Sequence, residues 1–177
     1  MRYLTAVLLC AVATAAFARP VWAESAEART VKILLTSLSF DRALVKRAVQ
    51  GEIVIAVEGA CPTAEVFRQV AGKRLRDFAI RVVAFETKGP ARQLDDSRPG
   101  AVFVCADAGV SADLLAAANE RAVLILTDGE AVVRAAEAAV GVEAGEGGVR
   151  LVVNASIARK QGADFDPRLY GAARVVD

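Results

Sequence analysis

The chain has 177 residues, 55% of them hydrophobic, with 22 basic and 21 acidic side chains and no histidine. That length fits one domain burying roughly two thirds of its unfolded surface, and near-neutral charge excludes the broad basic field of a general nucleic-acid binder. Without histidine there is no Ser-His-Asp or Cys-His catalysis and no imidazole metal site, so neither an enzyme nor a cofactor is expected.

The first stretch reads as an address. Arg2 is followed by an uncharged run from Leu4 to Phe17, apolar but for Thr5 and Thr14, and Val21-Trp22-Ala23 offers a signal peptidase its residues just ahead of Glu24. Residues 1–23 are therefore read as a removable signal peptide cut between Ala23 and Glu24, with a cut after Ala18 as the alternative. The run is too short for a membrane span, which needs about 20 apolar residues. Cys10 lies inside it, behind bulky Leu9, and is a poor lipoprotein acceptor. Subtracting this segment removes Arg2 and Arg19 and no acid, leaving 20 basic against 21 acidic side chains. The mature domain, residues 24–177, then keeps two cysteines, Cys61 and Cys105.

Apolar spacing predicts a helix over Ala26 to Leu38, broken at Ser39-Phe40-Asp41, then a basic connecting segment closed by Gln50-Gly51. Ile53 to Val57 is a β-branched run, apolar on both faces, as in parallel strands covered by helices. Pro62 and Thr63 open a helix to about Leu75, and Ala79 to Phe85 is a second strand. Lys88 to Gly100 reads as loop with a short helix. Ala101 to Cys105 is a third strand, Ser111 caps a helix through Arg121, and Val123 to Leu126 is a fourth strand. Asp128-Gly129 turns into an alanine-rich helix. Val140-Gly141-Val142 and Val149 to Val153 form a hairpin around Glu146-Gly147-Gly148. A helical segment from Asn154, restarted at Asp166-Pro167, runs to Val176. The expected fold is a single α/β domain: a central, mostly parallel sheet, helices on both faces, and a C-terminal β-hairpin plus helix.

Candidate chemistry is sparse. Cys61 precedes Pro62, a favoured first helical residue, and a thiolate at a helix N-terminus is stabilised. The usual redox dithiol needs a second cysteine at position 64, which is Ala. Cys105 lies near the carboxyl end of the third strand, beside the first strand in a doubly wound order. An even pair in an exported chain reads first as a Cys61–Cys105 disulfide; the alternative is a buried Cys105 and a free Cys61. Thr127, Asp128 and Asp107 gather where α/β folds place ligands, with Asp128 read mainly as a helix cap. Asn154-Ala155-Ser156 matches a glycosylation sequon but carries no weight alone. Phe40 and Tyr170, in irregular or terminal segments, read equally as interface anchors or as ordinary packing; with Asp107, Thr127 and Asp128 they make up the candidate ligand or partner edge.

Val123 to Gly129, then Gly148-Val149-Arg150-Leu151-Val152-Val153-Asn154, Ala158-Arg159, Gly162, Phe165-Asp166, Leu169 and Ala173 to Val176 resemble the YfiR-like family of exported bacterial proteins. Phe40-Asp41-Arg42 and the Ile53 to Val57 strand extend the resemblance over most of the mature chain. It implies a periplasmic regulator that binds an inner-membrane sensor or the periplasmic part of a diguanylate cyclase, with disulfides tying redox state to release. It also implies a homodimer as an assembly state. The chain departs from the family in offering one cysteine pair, not two, and in its charged segment from Ser39 to Gly51. Two other readings stand beside it: a small periplasmic solute-binding protein and a thiol oxidoreductase using Cys61.

Overall fold

The computed structural model describes residues 25–86, 88–145 and 148–177; the signal segment and its Ala23–Glu24 junction lie outside these residues. Helix α1 (Ala26–Ser39) starts where the Ser25 side chain accepts the Ala28 N–H, and it buries Val31, Leu34 and Leu38. Their spacing of three and four puts them on one stripe. The connecting segment contains a single helical turn, α2 (Leu44–Arg47), before strand β1 (Glu52–Glu58). Then come α3 (Pro62–Arg68), β2 (Arg74–Leu75), β3 (Phe78–Phe85), α4 (Pro90–Ser97), β4 (Ala101–Val104), α5 (Ala112–Arg121) and β5 (Leu124–Thr127). The chain finishes with α6 (Glu130–Arg134), β6 (Val140–Gly145), β7 (Gly148–Asn154), α7 (Ala155–Lys160), α8 (Pro167–Ala172) and β8 (Arg174–Val176).

These strands form one sheet in the order β2-β3-β1-β4-β5-β6-β7-β8. The pairings β1–β3, β1–β4, β4–β5, β5–β6 and β7–β8 are parallel; β2–β3 and β6–β7 are antiparallel. The two faces are separate cores, as the two-residue period of strands demands. Ile53, Ile55, Phe103 and Leu126 point to the side of α1 and α3, where Phe67 and Phe103 stack at 4.5 Å. Ala56, Val102, Val104 and Ile125 point to the side of α4 and α5, against Leu94 and Leu114. The single α/β domain with helices on both faces is the architecture expected from the sequence.

Three elements depart from the sequence reading. The helix after Pro62 ends at Arg68, because Gln69 and Val70 donate to acceptors three residues back and Gly72 takes φ 78°. The freed chain then makes β2, with the Gly72 N–H bonded to the Ile80 carbonyl. The alanine-rich helix stops after five residues, as Ala136 turns to φ 61°. The last apolar residues extend the sheet instead of a helix: Arg174 to Val176 lie parallel to Val152 to Asn154.

Candidate functional site

The strand order reverses at β1: the chain crosses to β3 on one side and returns past β1 to β4 on the other. In open α/β sheets the crevice at the carboxyl ends of two such strands is the usual ligand position. Here it holds a disulfide. Cys61, three residues after β1, and Cys105, directly after β4, are bonded with their Cα atoms 6.1 Å apart. The Cys105 sulfur lies 3.4 Å from both the Cys61 backbone nitrogen and the Glu58 carbonyl oxygen. Gly59 passes over it at φ 87°, and a Cβ there would stand 2.8 Å from that sulfur. Only glycine fits this crossing.

Asp128 closes the crevice from the next strand. Its Oδ1 accepts the Ala106 N–H at 2.7 Å, and its Oδ2 lies 3.6 Å from the Cys61 sulfur. It does not cap α6: the N-cap is Gly129, with no side-chain hydrogen bond. The reason is steric, since Gly129 abuts Ala106 closely enough that a Cβ would lie 2.5 Å from the Ala106 Cβ. The β5–α6 turn is thereby pressed onto the β4 end, where Asp128 finds an unsatisfied backbone donor. Thr127 is fully buried, its Oγ1 accepting the Gly129 N–H at 3.4 Å, so it presents nothing at the surface. Asp107 is exposed. Among the described residues no group of three His, Cys, Asp or Glu side chains could hold a metal ion.

Phe40 and Tyr170 are not at this end. The Phe40 to Arg42 segment lies along Asp164 to Asp166: Asp41 bridges Phe165, the Asp166 N–H donates to the Phe40 carbonyl, and Arg42 N–H donates to that of Asp164. Arg168 stands 5.9 Å over the Phe40 ring, and Tyr170 packs edge-on to Phe165 at 6.3 Å. Arg42 and Arg168 both reach the Asp166 carboxylate, at 3.3 and 3.0 Å. Hydrogen bonds from Arg168 hold that carboxyl well below the usual carboxylate range, and burial raises the Tyr170 hydroxyl. The result is a patch of half-buried aromatics, Phe40 and Tyr170, edged by exposed guanidinium groups.

What fixes this patch to the sheet is a buried ion pair that the sequence reading missed. Asp41 is fully buried, and its Oδ1 accepts the N–H groups of Ala43 and Asp164, both at 2.9 Å. Its Oδ2 lies 3.1 Å from Arg47 Nε, an ionic contact without in-line hydrogen-bond geometry. The Arg47 fork then donates to the carbonyls of Ala122 at 2.6 Å and Gln161 at 3.0 Å. Burial lowers the Arg47 pKa, opposed by the Asp41 charge. Gln161, also fully buried, accepts the Ile125 N–H at 2.8 Å. Because Ala122 precedes β5, the patch lies at the amino end of the sheet, opposite the disulfide. The five residues taken together from the sequence as one edge thus fall into two groups at opposite ends. The only sequence signal for the ion pair was an acid and a base six residues apart in a segment read as a connector.

No described helix is long and apolar enough to cross a membrane. No curated protein matches the sequence. A family model described as YfiR/HmsC-like matches residues 28–174, which takes in both ends of the sheet and all but the last strand's final residues. That family is periplasmic and regulatory rather than catalytic, acting in cyclic-di-GMP signalling. The chain belongs to the YfiR/HmsC-like family.

Proposed function

We propose that this protein is exported to the periplasm, where it docks on an inner-membrane signalling protein, a diguanylate cyclase, and modulates it through the Phe40–Tyr170 patch. The observation that carries the reading is the filled switch-point crevice. Where a solute-binding or catalytic α/β domain would hold its ligand, this chain has the Cys61–Cys105 disulfide, Gly59 and Asp128 in contact. Function then falls to a surface, and a partly buried aromatic pair flanked by arginines is the composition of an interface anchor. Family membership supplies the class of partner.

The disulfide gives the proposed redox sensitivity a location. Reduction would free a Cys61 thiol beside the Asp128 carboxylate, whose Oδ2 lies 3.6 Å from that sulfur. It would also release the loop after β1 from the end of β4. The test is genetic. Deleting the gene should raise cellular cyclic-di-GMP, wild-type protein should restore it, and a Phe40→Ser/Tyr170→Ser variant of wild-type circular dichroism should not. Unchanged cyclic-di-GMP on both deletion and overexpression would overturn the reading. Sedimentation of the purified protein tests whether it forms the homodimer that the family resemblance implies.

A further inference from the structure

A groove of about 480 Å³ opens at the amino end of the sheet, between α2, the α4–β4 connection and the end of α5. Its volume is within the range of small-molecule sites, roughly 300–1,000 Å³. Four cations line it, Lys46, Arg47, Arg98 and Arg121, against one acid, Asp95. On a chain of nearly balanced charge this is a marked concentration. Ala43, Val49 and Ala122 supply its accessible apolar surface, above the buried Leu94 and Val123.

The four cations are not equivalent. Arg47 is spent on Asp41 and backbone carbonyls. Arg121 is spent on Asp95 and Glu120. Lys46 and Arg98 are exposed, and among the described residues their side chains make no hydrogen bond or ion pair. Arg98 is also held at φ 46°, as the residue that ends α4 just before Pro99. Glycine is the ordinary residue in that conformation. Gln50, Arg76, Ala122 and Ala136 take the same conformation, so what sets Arg98 apart is an unpaired guanidinium beside the groove.

We propose that this groove binds a small organic anion, a carboxylate or phosphate group on an apolar body, with Lys46 and Arg98 taking the charge and Ala43, Val49 and Ala122 the body. Arg47, below them, is one ion pair away from the segment that carries Phe40, so an occupant would sit against the base of the patch. The site does not depend on a partner protein: it can be tested on the purified chain alone, and its failure would leave the docking proposal standing.

The experiment is calorimetric titration of the full chain with phenyl phosphate, benzoate and, as a neutral body of similar size, benzyl alcohol. At least one anion should bind saturably, about tenfold or more tighter than the alcohol. A Lys46→Gln/Arg98→Gln variant should weaken that anion by about tenfold or more. The single variant Arg98→Gly keeps the fold intact by relieving the backbone; it should melt no lower than wild type while binding the anion more weakly. The proposal is overturned if neither anion binds saturably, if benzyl alcohol binds as well as they do, or if the charge-neutral variant binds unchanged.

Discussion

Replacing Arg47 by Met removes the positive half of the buried pair while keeping an unbranched apolar stem in place. The Arg47 side chain is 7% exposed and that of Asp41 0%, so the carboxylate left behind cannot be rescued by bulk water. Three further contacts go with it, to the carbonyls of Ala122, Gln161 and, at 3.4 Å, Gly100. Breaking a buried pair on one side costs about 3–5 kcal/mol, a large part of the roughly 5–15 kcal/mol that holds a domain folded. With a urea m-value near 2 kcal/mol/M, the unfolding midpoint should fall by about 2 M. Asp41→Asn keeps a carbonyl oxygen for the Ala43 and Asp164 N–H groups and removes only the charge, so its cost should be smaller. The double variant Asp41→Asn/Arg47→Met should lose clearly less than the two single losses added, because the second change no longer strands a charge. Urea titrations of the four proteins measure this. A loss below about 1 kcal/mol for Arg47→Met, or additivity within about 0.5 kcal/mol, would refute the reasoning that the pair is a buried, interdependent unit.

Closing 44 residues between Cys61 and Cys105 is worth about 4 kcal/mol on the chain-entropy model, and Cys105→Ala should lower the urea midpoint accordingly. Peptide mapping after alkylation should label both cysteines only once the protein has been reduced. Gly141→Ala would place a Cβ 2.5 Å from Val133 Cγ2, 2.9 Å from Thr127 Cγ2 and 3.1 Å from the Gly129 carbonyl; overpacking of this kind costs about 1–3 kcal/mol. Gly145→Ala, with open space around it, should shift the midpoint by less than about 0.5 kcal/mol equivalent. Asp166 has a folded-state pKa depressed by Arg168. Its contribution is therefore present above the unfolded value of about 3.9 and is lost as pH falls through the folded value. The midpoint difference between wild type and Asp166→Asn should shrink from pH 7 toward pH 2; a difference independent of pH contradicts the assignment.

The strands that bury both faces were the most legible part of the chain. Ile53 to Val57, Ala101 to Val104 and Leu124 to Leu126 are apolar without alternation, and that pattern occurs where helices cover the sheet on both sides. The edges were not legible. Arg74-Leu75 is two residues among charges, and its strand pairing depends on how Gly72 turns the chain toward Ile80. Arg174 to Val176 followed alanines and leucine at helical spacing, and only the free edge of β7 makes it a strand. The site divided in the same way. Cys61 and Cys105 could be brought together from topology alone, since each follows one of two neighbouring strands. The Asp41–Arg47 anchor could not, because most of its partners are backbone carbonyls, which carry no residue type. Its absence from the sequence reading is also why Phe40 and Tyr170 were grouped with Asp107 and Asp128. Asn154, met first as a sequon, is fully buried: it caps α7 by accepting the Ile157 N–H at 2.9 Å and donates to the Val133 carbonyl at 3.3 Å.

On the function proposed above, the protein acts through a surface at the amino end of the sheet while its carboxyl end is closed by the disulfide. The most direct measurement is the affinity of the purified chain for the periplasmic domain of the proposed diguanylate cyclase partner, by surface plasmon resonance, for wild type, Phe40→Ser/Tyr170→Ser and Asp107→Lys. The patch variant should bind about tenfold or more weakly, as loss of anchor aromatics costs about 2 kcal/mol or more, and Asp107→Lys should bind as wild type does. Loss of binding in Asp107→Lys with none in the patch variant would contradict the account.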